Sequence, residues 1–441
     1  MKQLLKKLIF VFTGIEHPSE WLNEKILSVK LFFLTPFLKD KRLYSSLEDG
    51  CLRVRISSRC NGKCRFCVLR CKTHEESDVE KKWLYEYCRP LYGKVKLLSF
   101  THGDFTAAPD AFNFYSMLCR DFPQATICTE SNGIAFNEKW QKLAAENLFN
   151  THFSLNCVSE EVFLNAVWEP GDAGGANAYR LIRKNVAAYI DLLAAKDRLC
   201  FAPSVSMVIS EESCCEVKDF VLHALKLHAK SIAFFFDVTQ CSVGDKYFTN
   251  PEMKKVLLEI VKIRSLLKDS VWIGKIQYIP WKEWEEAEKA VALCSHDELR
   301  EQYSDIWLAA QGRSILKEHQ ERERWRKQMG KKPLTLIEDF VPTAHLTTEY
   351  SVPVCFDAWH MLDIGIDGSM TFCGWMKSFG NLRNFIRDGK VDWDEVFNCK
   401  AVRMLRRNML KGHYCSCDRC CPVNLETHNE TGELMDHERA R

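Results

Sequence analysis

The chain has 441 residues, enough for two or three domains with cores of their own. Hydrophobic residues make up 46% and charged residues 27%, a globular balance rather than that of a disordered or membrane-embedded chain. A formal net charge of +2 lacks the basic excess of a nucleic-acid binder, and 21 cysteines are more than a core of this size needs as disulfide staples.

Residues 1–50 read as a helical extension. The run LIFVF is too short to span a membrane, and Glu16 and His17 follow it without a small-residue cleavage site. The later run ILSVKLFFLTPFL is broken by Lys30 and Pro36. Both are expected as amphipathic helix, without peripheral membrane contact. A reducing, cytoplasmic setting follows as the expectation, and there clustered thiols read as metal sites.

From residue 51, β-rich apolar runs recur: LRVRIS (52–57), VKLLSF (95–100), ATICTE (125–130), THFSLN (151–156), FAPSVSMVI (201–209) and SIAFFF (231–236). Helical patterns such as PDAFNFYSMLCRDF, NEKWQKLAAENL and YRLIRKNVAAYIDLLAAK lie between them. Strands alternating with helices predict an α/β fold with a parallel sheet, and right-handed crossovers curl such units toward a barrel. Ligands then bind beyond the carboxyl ends of the strands. Residues 251–268 and 281–330 read as helices, the second set dense in charge and expected as a solvated insertion. A hairpin pattern follows, HMLDIGIDGSMTFC with Asp-Gly at its turn, and residues 391–411 return to helix. The expected layout is an extension (1–50), a core barrel (51–245), a helical linker or insertion (246–350) and a small hairpin-plus-helix domain (351–441).

Directly after the first predicted strand stands CNGKCRFC, with Cys60, Cys64 and Cys67 at C-x3-C-x2-C. Three thiolates on one small loop hold three irons of a cubane cluster and leave the fourth open. An open coordination position usually receives substrate or cofactor. Half a zinc site is the competing reading.

The stretch resembles the radical S-adenosylmethionine (radical SAM) superfamily, and the likeness extends to later strand ends. Asn61 and Phe66 fit that family's CN-x2-C-x-aromatic-C form. The resemblance implies a partial (β/α)6 TIM-like barrel and a [4Fe–4S] cluster whose open iron binds S-adenosylmethionine (SAM). It also implies reductive cleavage to a 5′-deoxyadenosyl radical that abstracts hydrogen. Phe66 would pack near the adenine. SFTHGDFT stands where the family has T-G-G-E-P-T, so Gly103 would let the backbone approach and Asp104 would accept from the methionine ammonium. Asp for Glu, His for Gly and Phe for Pro are departures. TESNG resembles T-N-G, with Ser131 and Asn132 toward the ribose or methionine carboxylate. FSLNC resembles S-L-D-G, with Ser154 and Asn156 facing the ribose. His102 and His152 are read as structural.

The C-terminal cysteines resemble the SPASM and Twitch extensions of the same superfamily. Cys355, Gly368 and Cys373 fit their hairpin pattern, followed by GNLRN, a helix with Trp393 and CSCDRCCPVN. Cys355, Cys373, Cys417 and Cys420 are the expected ligands of one auxiliary [4Fe–4S] cluster, with Cys415 and Cys421 in reserve. Two auxiliary clusters are the alternative, since Cys399 brings the count from 355 onward to seven. A structural zinc knuckle is the metal-only reading.

An auxiliary cluster suits removal of a second electron from a substrate radical. The resemblance therefore implies oxidation of a small polar, alcohol or sugar-like substrate, with flavodoxin or ferredoxin as electron donor. Oxidative cross-linking by a peptide-modifying SPASM maturase is the alternative. A non-catalytic metal-binding scaffold or zinc module is the competing class. No carboxylate or histidine pair stands out as general acid or base, and no nucleic-acid partner is expected.

Overall fold

The structure is a computed structural model. It describes residues 45–47, 50–55, 57, 59–67, 81–100, 103–107, 110–237, 250–274, 281–336, 360–365, 367–372 and 378–410. Its centre is a ten-stranded sheet. Strands β1 (Cys51–Val54), β2 (Leu97–Ser99), β3 (Thr126–Ser131), β4 (Asn150–Ser154), β5 (Ser204–Ile209), β6 (Ser231–Phe236) and β7 (Trp272–Ile273) follow one another in spatial order. Each pairs in parallel with the next. Helices α1 (Lys81–Tyr92), α2 (Ala111–Asp121), α3 (Glu138–Glu146), α4 (Gly175–Ala195), α5 (Val217–Lys226) and α6 (Pro251–Leu267) make the connections. The expected α/β class and partial barrel are therefore present, and the sheet does not close.

Two edges of the chain were not anticipated. Strand β7 is two residues long and carries too little pattern to read. The C-terminal hairpin, β8 (Met361–Ile364) and β9 (Ser369–Thr371), is antiparallel around Asp-Gly as expected, with Gly368 at φ 84. Yet β8 also pairs in parallel with β1 over four residues, so the hairpin extends the barrel sheet. Strand β10 (Gly380–Asn381) completes that edge.

Strand register sorts the side chains onto two faces, because alternate residues point to opposite sides. Leu52, Val54, Leu98, Ile127, Phe153, Val205, Met207, Ile209, Ile232, Phe234 and Phe236 are buried on one face and join the helices in one core. The opposite face carries Arg53, Ser99, Glu130, His152, Ser154, Ser204, Ser206 and Ser231, aligned strand to strand by Arg53↔Ser99, Glu130↔His152, Ser154↔Ser206 and Ser204↔Ser231.

The charge-dense insertion is not a solvated arm. Helices α7 (Trp281–Val291), α8 (His296–Gln302), α9 (Ser304–Ala310) and α10 (Ile315–Gln328) pack back on the domain. Arg322 and Arg326 of α10 are fully buried; Arg322 donates to the Cys200 carbonyl, and Arg326 lies over the Phe201 ring. Beyond α10, Lys332 N donates to Gln124 O at 2.8 Å and Lys331 Nζ to Ala125 O at 2.9 Å, both just ahead of β3. Leu334 is buried with Cys51, Leu97 and Cys128. A sequence read only for charge misses this, because arginine stems cover apolar surface while their guanidinium groups take carbonyls.

Candidate iron–sulfur and SAM site

The three-cysteine loop leaves the end of β1 and is held from three other strand ends. Arg59 O accepts from Asp104 N at 3.0 Å, beyond β2. Asn132 Nδ2, beyond β3, donates to Asn61 Oδ1 at 2.7 Å and to Cys60 Sγ at 3.5 Å. Cys64 forms an antiparallel bridge with Trp168 beyond β4, flanked by Glu169 N to Lys63 O at 2.8 Å and Arg65 N to Val167 O at 3.0 Å. Lys63 also pairs with Asp172. The segment that supplies this bridge starts with a short helix at Ser159 and passes through a π-turn at Phe163–Val167. Such π-turns are frequent at functional sites.

Cys60, Cys64 and Cys67 are half-buried thiols. Burial, then Cys60, Cys67 and Asp104 in turn, pushes the Cys64 thiol up to about 12. Among the described residues no three His, Cys, Asp or Glu side chains converge on a single metal ion. A cubane has no such requirement, since each cysteine binds a different iron. The donor set fits a three-thiolate cluster.

Asp104 is 2% exposed, and its carboxylate organises the loops. Oδ2 accepts from Ser131 Oγ at 2.9 Å and Asn132 N at 2.6 Å; Oδ1 accepts from Thr106 N at 2.9 Å and Thr106 Oγ1 at 2.5 Å. Those four bonds use the four lone-pair sites of a carboxylate. The side chain expected to receive an ammonium is thus engaged by the protein itself. Ser131 also accepts from Gly133 N at 2.9 Å. Asn156 sits at φ 64, a left-handed position that asparagine tolerates. Its Oδ1 accepts from Val208 N and its Nδ2 donates to Ser154 O. Ser154 is half-exposed on the polar sheet face, Gly103 is half-buried, and Phe66 packs against the core. Asp104, Ser131, Asn132 and Cys60 are brought into one hydrogen-bonded group; Ser154 and Asn156 form a second, tied to β5.

On the polar face, Arg53, Arg55 and Asp363 went unread in the sequence, and His152 was read only as structural. Arg55 grips Asp363 of β8 with Nε to Oδ1 at 3.0 Å and Nη2 to Oδ2 at 2.8 Å, and Arg53 lies 3.7 Å from the same carboxylate. His152 Nε2 meets Ser206 Oγ at 2.8 Å. Burial holds His152 below the usual histidine range, against the pull of Glu130. The signal was strand parity: Glu130, His152 and Ser154 share a face once β3 and β4 pair. Cys355, Cys373, Cys415, Cys417, Cys420 and Cys421 lie outside the described residues, as do His102 and the amphipathic segments before residue 45. Cys399, at the end of α11 (Trp393–Asn398), is half-buried. Among the described residues no helix is long and apolar enough to cross a membrane.

The partial parallel barrel carries three thiols on the loop after its first strand, beyond the carboxyl ends of the strands. Residues 54–192 match the family model of the radical SAM superfamily, and this part of the chain is a radical SAM domain. That family uses SAM and a [4Fe–4S] cluster. The chain is similar in fold to SuiB of Streptococcus suis bound to S-adenosylmethionine, at 11% identity over 96% of this chain and 84% of that one, with a TM-score of 0.51. It also aligns with anSMEcpe bound to AdoMet and the Cp18Cys peptide, at 17% identity, 51% and 62% coverage and a TM-score of 0.39. BtrN in complex with AdoMet and 2-DOIA aligns at 11% identity, 85% and 92% coverage and a TM-score of 0.36. No curated protein matches the sequence.

Proposed function

We propose that this chain is a radical SAM enzyme that oxidises an organic substrate by hydrogen abstraction, using a cluster on Cys60, Cys64 and Cys67. The observation that carries it is the loop itself, fixed by hydrogen bonds from the ends of three further strands. When bound, the cluster and SAM together supply hydrogen-atom abstraction. The protein's part is to orient the ligand loop, through Asp104, Asn132 and the Trp168 bridge, and to present substrate on the polar sheet face.

Arg53, Arg55, Glu130, His152 and Ser154 are the half-exposed residues there on β1, β3 and β4, or just beyond. They suit hydroxyl or amino groups, in keeping with oxidation of a small polar, alcohol or sugar-like substrate. An auxiliary cluster on Cys355, Cys373, Cys417 and Cys420 would accept the second electron, and flavodoxin or ferredoxin would supply the first. A second reading draws on the other half of the same face. Val208, Ala233 and Phe235 are half-exposed on β5 and β6, an apolar wall that suits an amino-acid side chain. This favours a peptide substrate.

Anaerobic purification with iron and sulfide analysis, followed by dithionite-driven 5′-deoxyadenosine release, tests the reading. Replacing Cys60, Cys64 and Cys67 by alanine should abolish that release. Zinc in place of iron, with no deoxyadenosine, would instead establish the metal scaffold.

A further inference from the structure

The Asn132 amide has one orientation that the chain permits. Its Oδ1 accepts from Ile134 N at 2.9 Å, so Nδ2 has to face away from that turn. There it donates to Asn61 Oδ1 at 2.7 Å and to Cys60 Sγ at 3.5 Å. These bonds use both hydrogens of the amide. Backbone N of Asn132 is in turn anchored on Asp104 Oδ2 at 2.6 Å. Gly62 makes the approach feasible: a Cβ there would stand 3.1 Å from Asn132 Nδ2, 3.5 Å from Cys60 Sγ and 3.7 Å from Cys64 Sγ. Gly62 N adds a second donor to Cys60 Sγ at 3.3 Å.

We propose that Asn132 is a positioning residue for the cluster ligand Cys60, and that its N–H···S bond raises the reduction potential of the SAM-site cluster. The inference rests on the cluster reading above. A cluster gains negative charge when it takes an electron, and that charge spreads onto its thiolate ligands. A donor aimed at Cys60 Sγ therefore stabilises the reduced form more than the oxidised one. Asn132 thus acts on the electron-accepting step.

The test is a redox titration of reconstituted full-length protein, following the paramagnetic signal that changes on adding SAM. Asn132→Leu keeps the size, adds no charge and removes the donor. At the wild-type midpoint potential its ratio of reduced to oxidised cluster should be about tenfold lower, equivalent to a downward shift of about 59 mV for a one-electron couple. Full iron content at the site with an unshifted midpoint would overturn the proposal. If the leucine variant loses its iron, wild-type protein labelled with 15N in the asparagine side chains decides. A weak 15N coupling to the reduced cluster sustains the bond, and its absence refutes it. Wild-type protein that takes up no iron at these cysteines would sink the cluster reading and the hydrogen bond together, an outcome distinct from an unshifted midpoint.

Discussion

Replacing Asp104 by alanine separates a carboxylate that holds loops from one that holds ligand. In the structure the substitution strands four donors: Ser131 Oγ, Asn132 N, Thr106 N and Thr106 Oγ1. The two hydroxyls can turn to other acceptors, but the two backbone N–H groups cannot. A buried donor left unsatisfied costs about 1–3 kcal/mol, and both sites are partly buried, so water recovers some of the loss. A destabilisation of about 2–4 kcal/mol is expected, a large share of the about 5–15 kcal/mol that keeps a domain folded. Urea denaturation of the reduced apoprotein measures it. Asp104→Asn should lose about half as much, because one acceptor oxygen remains. Asp104→Glu should not restore stability, since the cradle is closed and an added methylene there costs about 1–3 kcal/mol. Iron content should fall in Asp104→Ala as well, because Asn132 loses its anchor beside Cys60. The reasoning is refuted if Asp104→Ala stays within about 0.5 kcal/mol of wild type while SAM affinity drops at least about tenfold. That result would place the carboxylate on the ligand.

His223 faces the Arg183 guanidinium, which donates to its Nε2, and burial, Arg183 and Lys226 hold its pKa down to about 4 from an ordinary 6.5. The unfolded chain therefore binds more protons between those values, so stability should fall as pH drops from about 6.5 toward about 4, and His223→Gln should flatten that slope in denaturation curves. Arg322→Met, which removes the guanidinium that donates to the Cys200 carbonyl while Glu318 keeps its two bonds from Arg313, should lower stability by about 1.5–3 kcal/mol in the same assay. Replacing Cys373 and Cys420 together should remove about four irons and stop product formation while SAM cleavage continues uncoupled; normal product yield from folded protein would show that the C-terminal cysteines are structural. Phe235→Ala should lower kcat/KM for a peptide substrate by about ten- to hundredfold, and leave a sugar-like substrate unaffected, if the apolar wall grips a side chain.

The parallel sheet was legible because β5 and β6 carry long runs of apolar residues whose ends are marked by turns, and SIAFFF matches β6 residue for residue. The cysteine loop was legible because its spacing is local. What escaped is non-local. Nothing in MLDI says that it will add to β1 rather than form a hairpin apart, since that choice depends on the free edge of a strand three hundred residues earlier. Likewise His152 reads as a structural histidine until pairing with Glu130 and Ser204 fixes which face it shares. Asp104 was legible as a carboxylate at the right strand end, but its saturation depends on where Thr106, Ser131 and Asn132 come to rest.

The polar face is not uniformly accessible, and the gradient has a cause. At the strand beginnings Cys51, Leu97, Thr126, Cys128, Asn150, Ser204 and Ser231 are buried. Two to four residues onward, Arg53, Glu130, His152, Val208, Ala233 and Phe235 are half-exposed. What separates the two levels is the docked α10 region: Leu334 seals Cys51, Leu97 and Cys128, and Arg326 lies near Cys128. Ser231 Oγ donates to Ser204 Oγ at 2.6 Å and Lys230 to Asn150 Oδ1, so these two pairs are satisfied within the sealed level, whereas Thr126 Oγ1 is buried there without a partner. Among the described residues, the accessible level therefore opens toward the carboxyl ends of the strands, where the cysteine loop sits. A substrate resting on Glu130 and His152 would approach from the side of the three-cysteine loop. The charge-dense insertion supplies this closure: among the described residues it fills the end of the sheet opposite the cysteine loop.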